Sequence, residues 1–220
     1  MRTYRERVVL AVSFGGLGGL VLLDIALRID PKLPVYYLDT GLLFPETYAF
    51  IREVEARYGI SAIAVRPELT LVEQAREHGE ALWERDPDAC CAIRKVEPQR
   101  AFLKNYDAWI SGLHRTSIQT RQAVARVAWD AGANVVKVSP LALWTDSDLA
   151  EYARENGIPH NPLIDAGYAS IGCVPCTRRV APGEDARAGR WAGFAKTECG
   201  LHLPQITSTT TGDRSLSKES

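Results

Sequence analysis

Two rhythms of apolar and polar positions alternate along the first two-thirds of the chain. Short apolar runs at Val8–Ser13, Pro34–Leu38, Ser61–Val65 and Asp107–Ser111 have the length of buried strands. Between them lie longer segments with helical spacing, at Leu20–Arg28, Pro45–Tyr58, Thr70–Glu84 and Ala89–Lys104. Pro45 suits a first helical turn, where a missing N–H costs nothing. This alternation predicts an α/β fold built on a doubly wound, mostly parallel sheet. "DAGAN" separates Ala125–Trp129 from Val135–Val138, which predicts a hairpin at the sheet's edge. Thr145–Asn156 reads as a helix capped by Thr145, with Asp148 three residues on as an imperfect capping box. After Pro159 the chain turns loop-rich. From Leu203 onward it is polar and nearly free of aromatics, the composition of a mobile tail. The expectation is one domain over 1–202 with a loop-rich C-terminal extension, then a tail over 203–220.

Length and charge narrow the function classes. At 220 residues the chain can bury a full core, and 26 basic against 27 acidic residues leave no global field that would attract nucleic acid. Any anion must be held by local arginines. Arg2, Arg5 and Arg7 before the apolar run imitate a secretory signal, but Asp24 ends that run with no small-residue cleavage site. The run is also too short and too glycine-broken for a membrane span. A soluble cytoplasmic protein with no membrane partner is expected, and the oligomeric state is left open, a homo-oligomer included.

"AVSFGGLGGLVLLDIA", residues 11–26, places four glycines where a strand turns into a helix. It lacks the G-K-[ST] of a Walker loop, and Val21 stands where a dinucleotide fingerprint wants glycine. Backbone N–H groups at a helix start still bind anions without any side chain. Such a cradle suits a ligand with few phosphates rather than a magnesium triphosphate.

The five cysteines sort into three sets: the adjacent pair Cys90 and Cys91, the CxxC of Cys173 and Cys176, and Cys199 alone. An odd count argues against a disulfide framework. Two pairs make a four-thiolate candidate for zinc or an iron–sulfur cluster. Neighbouring side chains on a helix diverge by roughly 100°. That is awkward for one tetrahedral zinc and natural for a 4Fe–4S cluster, whose irons are separate. Cys199 has Lys196 and His202 three residues to either side, and nearby positive charge raises a thiolate fraction. With four cysteines occupied, an adduct on Cys199 must be released by a thiol from outside the chain. "CTRRVAPGEDARAGRW" crowds Arg178, Arg179, Arg187 and Arg190 beside the CxxC and reads as a set of anion-binding forks.

On "YLDTGLLFPETY", "CCAIRKVEP", "WISGL", "VKVSPLALWTDSDL", "NPLIDAGYASIGCVPCTRRVAPGEDARAGRW" and "KTECGLH", the chain resembles assimilatory adenylyl-sulfate reductases of the phosphoadenylyl-sulfate reductase family. The resemblance runs from the first strand to His202, and its double cysteine pair is similar to that of the branch using adenosine 5′-phosphosulfate (APS). It implies a nucleotide-hydrolase-like fold with a modified PP-loop, a 4Fe–4S cluster on Cys90, Cys91, Cys173 and Cys176, and Cys199 as nucleophile. It also implies that Ser13, Phe14 and Gly15 face the nucleotide, that Leu38, Asp39 and Thr40 lie near the adenosine, and that Gly112 belongs to the same site. Lys95, Arg115, Arg187 and Arg190 would hold the phosphosulfate, with His202 beside the sulfate. Thioredoxin or a similar dithiol would release sulfite from a Cys199 thiosulfonate, the C-terminal segment of about 177–202 closing and opening between steps. "SFGGLGG" and "GLHRTSIQTR" depart from the family's more usual forms, with His114 where a second arginine is expected.

Overall fold

A computed structural model describes residues 7–114 and 124–201. The strands are β1 (Val8–Ala11), β2 (Val35–Leu38), β3 (Ile63–Val65), β4 (Ala108–Ser111), β5 (Val127–Asp130) and β6 (Val135–Val138). The helices are α1 (Leu17–Ile29), α2 (Pro45–Tyr58), α3 (Leu71–His78), α4 (Leu82–Arg85), α5 (Pro87–Cys91), α6 (Glu97–Leu103) and α7 (Asp146–Asn156). A π-helical turn, Ala92–Val96, joins α5 to α6, and a 3₁₀ turn covers Val174–Cys176.

The strands form one sheet in the order β3-β2-β1-β4-β6-β5, parallel throughout except for β5 against β6. The doubly wound sheet and the edge hairpin are therefore as expected. Period-2 alternation divides the core between the faces. Val8, Leu10 and Ile110 pack with α1, α2 and α7, while Val9, Tyr36 and Trp109 pack with Leu103 of α6 on the other side. The chain runs outward from β1 to β3 and then returns to β1's other flank as β4. At such a reversal, beyond the C-terminal ends of β1 and β4, lies the usual ligand position in open α/β sheets.

Local chemistry explains most boundaries. Asp24 of α1, nearly buried, accepts from Tyr58 (3.2 Å) and Tyr152 (2.7 Å), tying α1 to α2 and α7. The Thr145–Asp148 capping box is complete rather than imperfect, with both reciprocal bonds made. The helix expected over Thr70–Glu84 breaks: Gly79 (φ +82°) and Ala81 (φ +47°) reverse the chain between α3 and α4. Among the described residues, no helix is long and apolar enough to cross a membrane.

Candidate active site

The loop between β1 and α1 is shaped by close backbone approaches. A Cβ on Gly15 would lie 2.6 Å from the carbonyl oxygen of Ile171, and one on Gly112 would lie 2.9 Å from the carbonyl of Gly18. Glycine is thus required where β4 ends against the start of α1. Gly16 faces open space, and no side chain caps α1. Its first amides are left for a ligand. Ser13 is exposed at the loop's entry. Phe14 is fully buried at φ +54°, its ring edge-on to Tyr37 and its carbonyl accepting from Asn161 Nδ2 (3.1 Å). Its ring is a core anchor and does not face a ligand. His114 rests against Gly18, with Nε2 2.9 Å from Asp146 Oδ1.

At the end of β2, Leu38 is half-buried and Asp39 is held by three donors: Tyr48 Oη (2.6 Å), Arg66 Nε (3.0 Å) and Gly41 N (3.1 Å). Burial would raise the Asp39 carboxyl, but the Tyr48, Gly41 and Arg66 donors outweigh it and hold it below its ordinary value. The Thr40 hydroxyl turns the other way, 3.3 Å from Cys173 Sγ.

The two cysteine pairs lie on that side, linked through Thr40, Arg94 and Gln74. Cys90 and Cys91 end α5. Cys173 pairs as an isolated bridge with Leu43, and Val174 N donates to Leu42 O (2.8 Å), so the loop after β2 clamps the CxxC turn. Cys90, Cys91 and Cys173 are buried and Cys176 half-buried. Burial first, and then neighbouring thiols, push Cys90 and Cys91 up and push Cys176 up to about 12. Burial works against the Lys95 ammonium, yet Cys173, Cys199 and Cys91 raise it overall.

The donor set fits a thiolate-bound cluster. Among the described residues, no three His, Cys, Asp or Glu side chains converge to hold one metal ion. Cys90, Cys91 and Cys176, each raised by burial, are thiols that ionise most readily onto a cationic core.

Behind the quartet stand residues that periodicity did not single out. Arg94, 4% exposed, donates to Thr40 O (2.6 Å), Gln74 Oε1 (3.0 Å) and Leu69 O (3.3 Å). Gln74 in turn points Nε2 at Cys90 Sγ (3.9 Å). The i, i+4 spacing of Cys90 and Arg94 was a usable signal for Arg94. Gln74 had none.

The four arginines after the CxxC divide. Arg178 forks onto Glu184 (2.9 and 3.1 Å), its guanidinium pulling that carboxyl down to about 2, and Arg179 stacks over Tyr168. These two are structural, because an intrasegment carboxylate and a ring already take them. Arg187 and Arg190 instead turn inward with Lys196 around Trp191, their cationic groups 5.6, 4.4 and 5.4 Å from its ring centre. They line a cavity of about 410 Å³ with Thr197. Trp191 is 3% exposed at φ +47°, a strained conformation for a bulky residue. Arg190 Nε donates to Cys176 O (3.2 Å), and Arg187 Nη2 donates to Thr197 O (2.7 Å), which joins the pocket to both cysteine motifs. Cys199 is half-buried close enough to Cys91 and Lys95 to act on their ionisation. Arg115 and His202 lie outside the described residues.

Three comparisons agree on the relatives of this arrangement. The phosphoadenosine phosphosulfate reductase domain matches residues 7–179. The chain is 47% identical over 200 residues to adenosine 5′-phosphosulfate reductase 1 of Bacillus subtilis, covering 90% of this chain and 85% of that one. It is 50% identical over 182 residues to adenosine 5′-phosphosulfate reductase of Streptomyces coelicolor, covering 83% and 77%. Among solved structures, phosphoadenylyl-sulfate reductase from Candida auris superposes with TM-score 0.66 at 32% identity, over 78% of this chain and 83% of that one. Candida glabrata FMN adenylyltransferase, at 18% identity and TM-score 0.59 over 80% of this chain and 57% of its own, shares the fold.

Proposed function

The chain belongs to the phosphoadenosine phosphosulfate reductase domain family, and from that membership we propose that it reduces APS to sulfite and AMP in sulfate assimilation, using a dithiol protein such as thioredoxin. The observations that support this reading are that the two cysteine pairs are linked through Thr40, Arg94 and Gln74, and that Arg190 and Arg187 bond Cys176 O and Thr197 O, the latter two residues before Cys199.

The nucleotide phosphate lies on the uncapped start of α1, and the cations Lys95, Arg187 and Arg190 neutralise the phosphosulfate. That neutralisation lets an anionic nucleophile approach an anionic substrate. The Cys199 thiolate attacks the sulfate sulfur. A Cys199 S–S bond to SO₃⁻ forms, the S–O bond to phosphate breaks, and AMP leaves with the electron pair. A thiolate of the dithiol then attacks Cys199 Sγ and sulfite departs with the bonding pair, and the second thiol frees Cys199 as the partner's disulfide closes. Both electrons come from the dithiol. A 4Fe–4S cluster on Cys90, Cys91, Cys173 and Cys176 would supply a compact core that lets four buried thiols ionise and sets the local field. Arg115 and His202 complete the proposed contacts. The unpaired thiols accord with a cytoplasmic location, and residues 1–202 are read as one catalytic domain.

The test is Cys199→Ser. The variant is expected to keep its iron and its visible absorbance and to bind APS while forming no SO₃ adduct by intact mass. Sulfite production by that variant would refute the nucleophile. Parallel turnover on the 3′-phosphorylated nucleotide separates the two substrates of this family, since a 3′-phosphate needs a further basic pocket.

A further inference from the structure

A thiol that attacks bound substrate and then meets a second protein must be held and afterwards let go. The segment bearing Cys199 is bracketed by Gly193 (φ +91°) and Gly200 (φ +88°), positions whose left-handed backbone suits glycine. Between them the segment is fastened twice. On one side Arg187 Nη2 donates to Thr197 O (2.7 Å). On the other, the Lys196 ammonium is paired with the Asp88 carboxylate.

The second fastening is unequal. The Lys196 side chain is 6% exposed and lies over the Trp191 ring, whereas that of Asp88 is 79% exposed. Asp88 sits in α5, two residues before Cys90, so the pair ties the Cys199 segment to the helix carrying half the thiol quartet. An ion pair with one solvated partner is weak and opens readily, as a reversible fastening must. A wholly buried pair would be too costly to break at each turnover.

We propose that Asp88 is a positioning residue: its pairing with Lys196 holds Cys199 in the closed, attack-ready position, and its release presents the Cys199 adduct to the dithiol. The proposal rests on Cys199 being the nucleophile, but the contact itself does not depend on the substrate.

The experiment follows alkylation of Cys199 by iodoacetamide in the anaerobic, nucleotide-free holoenzyme, read on the Cys199 peptide by mass spectrometry. Asp88→Lys and Asp88→Asn are expected to speed alkylation by roughly three- to tenfold with visible absorbance unchanged, while Asp88→Glu stays within about twofold of the parent. In single turnover, Asp88→Lys should slow adduct formation but not its release by thioredoxin. The proposal is overturned if Asp88→Lys alkylates no faster than the parent, if Asp88→Glu and Asp88→Lys behave alike, or if Asp88→Lys loses iron, which would make the residue a support of α5. Should the parent form no adduct with APS, the functional reading fails while the alkylation series still decides the fastening.

Discussion

Gly112→Ala probes the junction on which nucleotide binding depends. The added Cβ would meet Gly18 C, Gly18 O and Gly19 Cα, each at 2.9 Å, whereas ordinary contact begins at 3.4 Å. The obstacle is backbone on both elements, so β4 and the start of α1 must part by about 0.5 Å. Overpacking of this kind costs about 1–3 kcal/mol, which for a chain of this size lowers Tm by about 2–12 °C. The same displacement re-aims the first amides of α1, so APS affinity, measured by calorimetry on the Cys199→Ser background, should fall about tenfold or more. Gly16→Ala is the matched control. Its Cβ meets nothing within 4 Å and its φ of −151° suits any residue, so Tm should hardly move while a methyl at the open mouth weakens binding. If Gly112→Ala melts within about 1 °C of the parent and binds APS with unchanged Kd, the close-approach argument is wrong. If Gly16→Ala binds like the parent, the loop is geometry and not a phosphate cradle.

Two further perturbations test the walls of the site. Gln74→Leu removes the acceptor for Arg94 Nη1 and the donor aimed at Cys90 at a buried position, which should cost about 1–3 kcal/mol and speed iron loss to a chelator; unchanged bleaching kinetics would show that Gln74 does not support the quartet. Asp39→Asn weakens acceptance from Tyr48 and Arg66 and should cost a similar amount at neutral pH. Because the folded-state carboxyl lies below its ordinary value of 3.8, its contribution is complete above that pH and disappears as pH falls through the folded value. Urea midpoints of parent and variant should therefore draw together as pH falls below 3.8, and a gap that widens in acid would contradict the assignment.

Much of this protein was legible before any coordinates. Strand and helix rhythm placed the parallel sheet, "DAGAN" placed the edge hairpin between β5 and β6, and Pro45–Tyr58 is helical over the expected span. Cysteine spacing grouped the thiols as an adjacent pair, a CxxC and a fifth, and the structure sets the first two groups on α5 and a 3₁₀ turn. Other features were not legible. Thr70–Glu84 keeps helical spacing across Gly79, and only the structure shows the turn there, bridged by Arg85 donating to His78 O (2.6 Å) and Glu80 O (3.1 Å). Nothing local distinguishes Arg178 and Arg179, taken by Glu184 and Tyr168, from Arg187 and Arg190, which face Trp191.

The chain's own order of residues determined the sheet, the helices that cover it and the chemical inventory of five thiols and clustered cations. Those follow from periodicity and residue type, which act over a few positions at a time. Tertiary structure alone decided that Gly18 and Gly112 touch, that Thr40 turns to Cys173, and that Asp88 meets Lys196. Each of these contacts joins segments distant in the chain, and long-range closure is set by the packing of the whole core rather than by any local pattern.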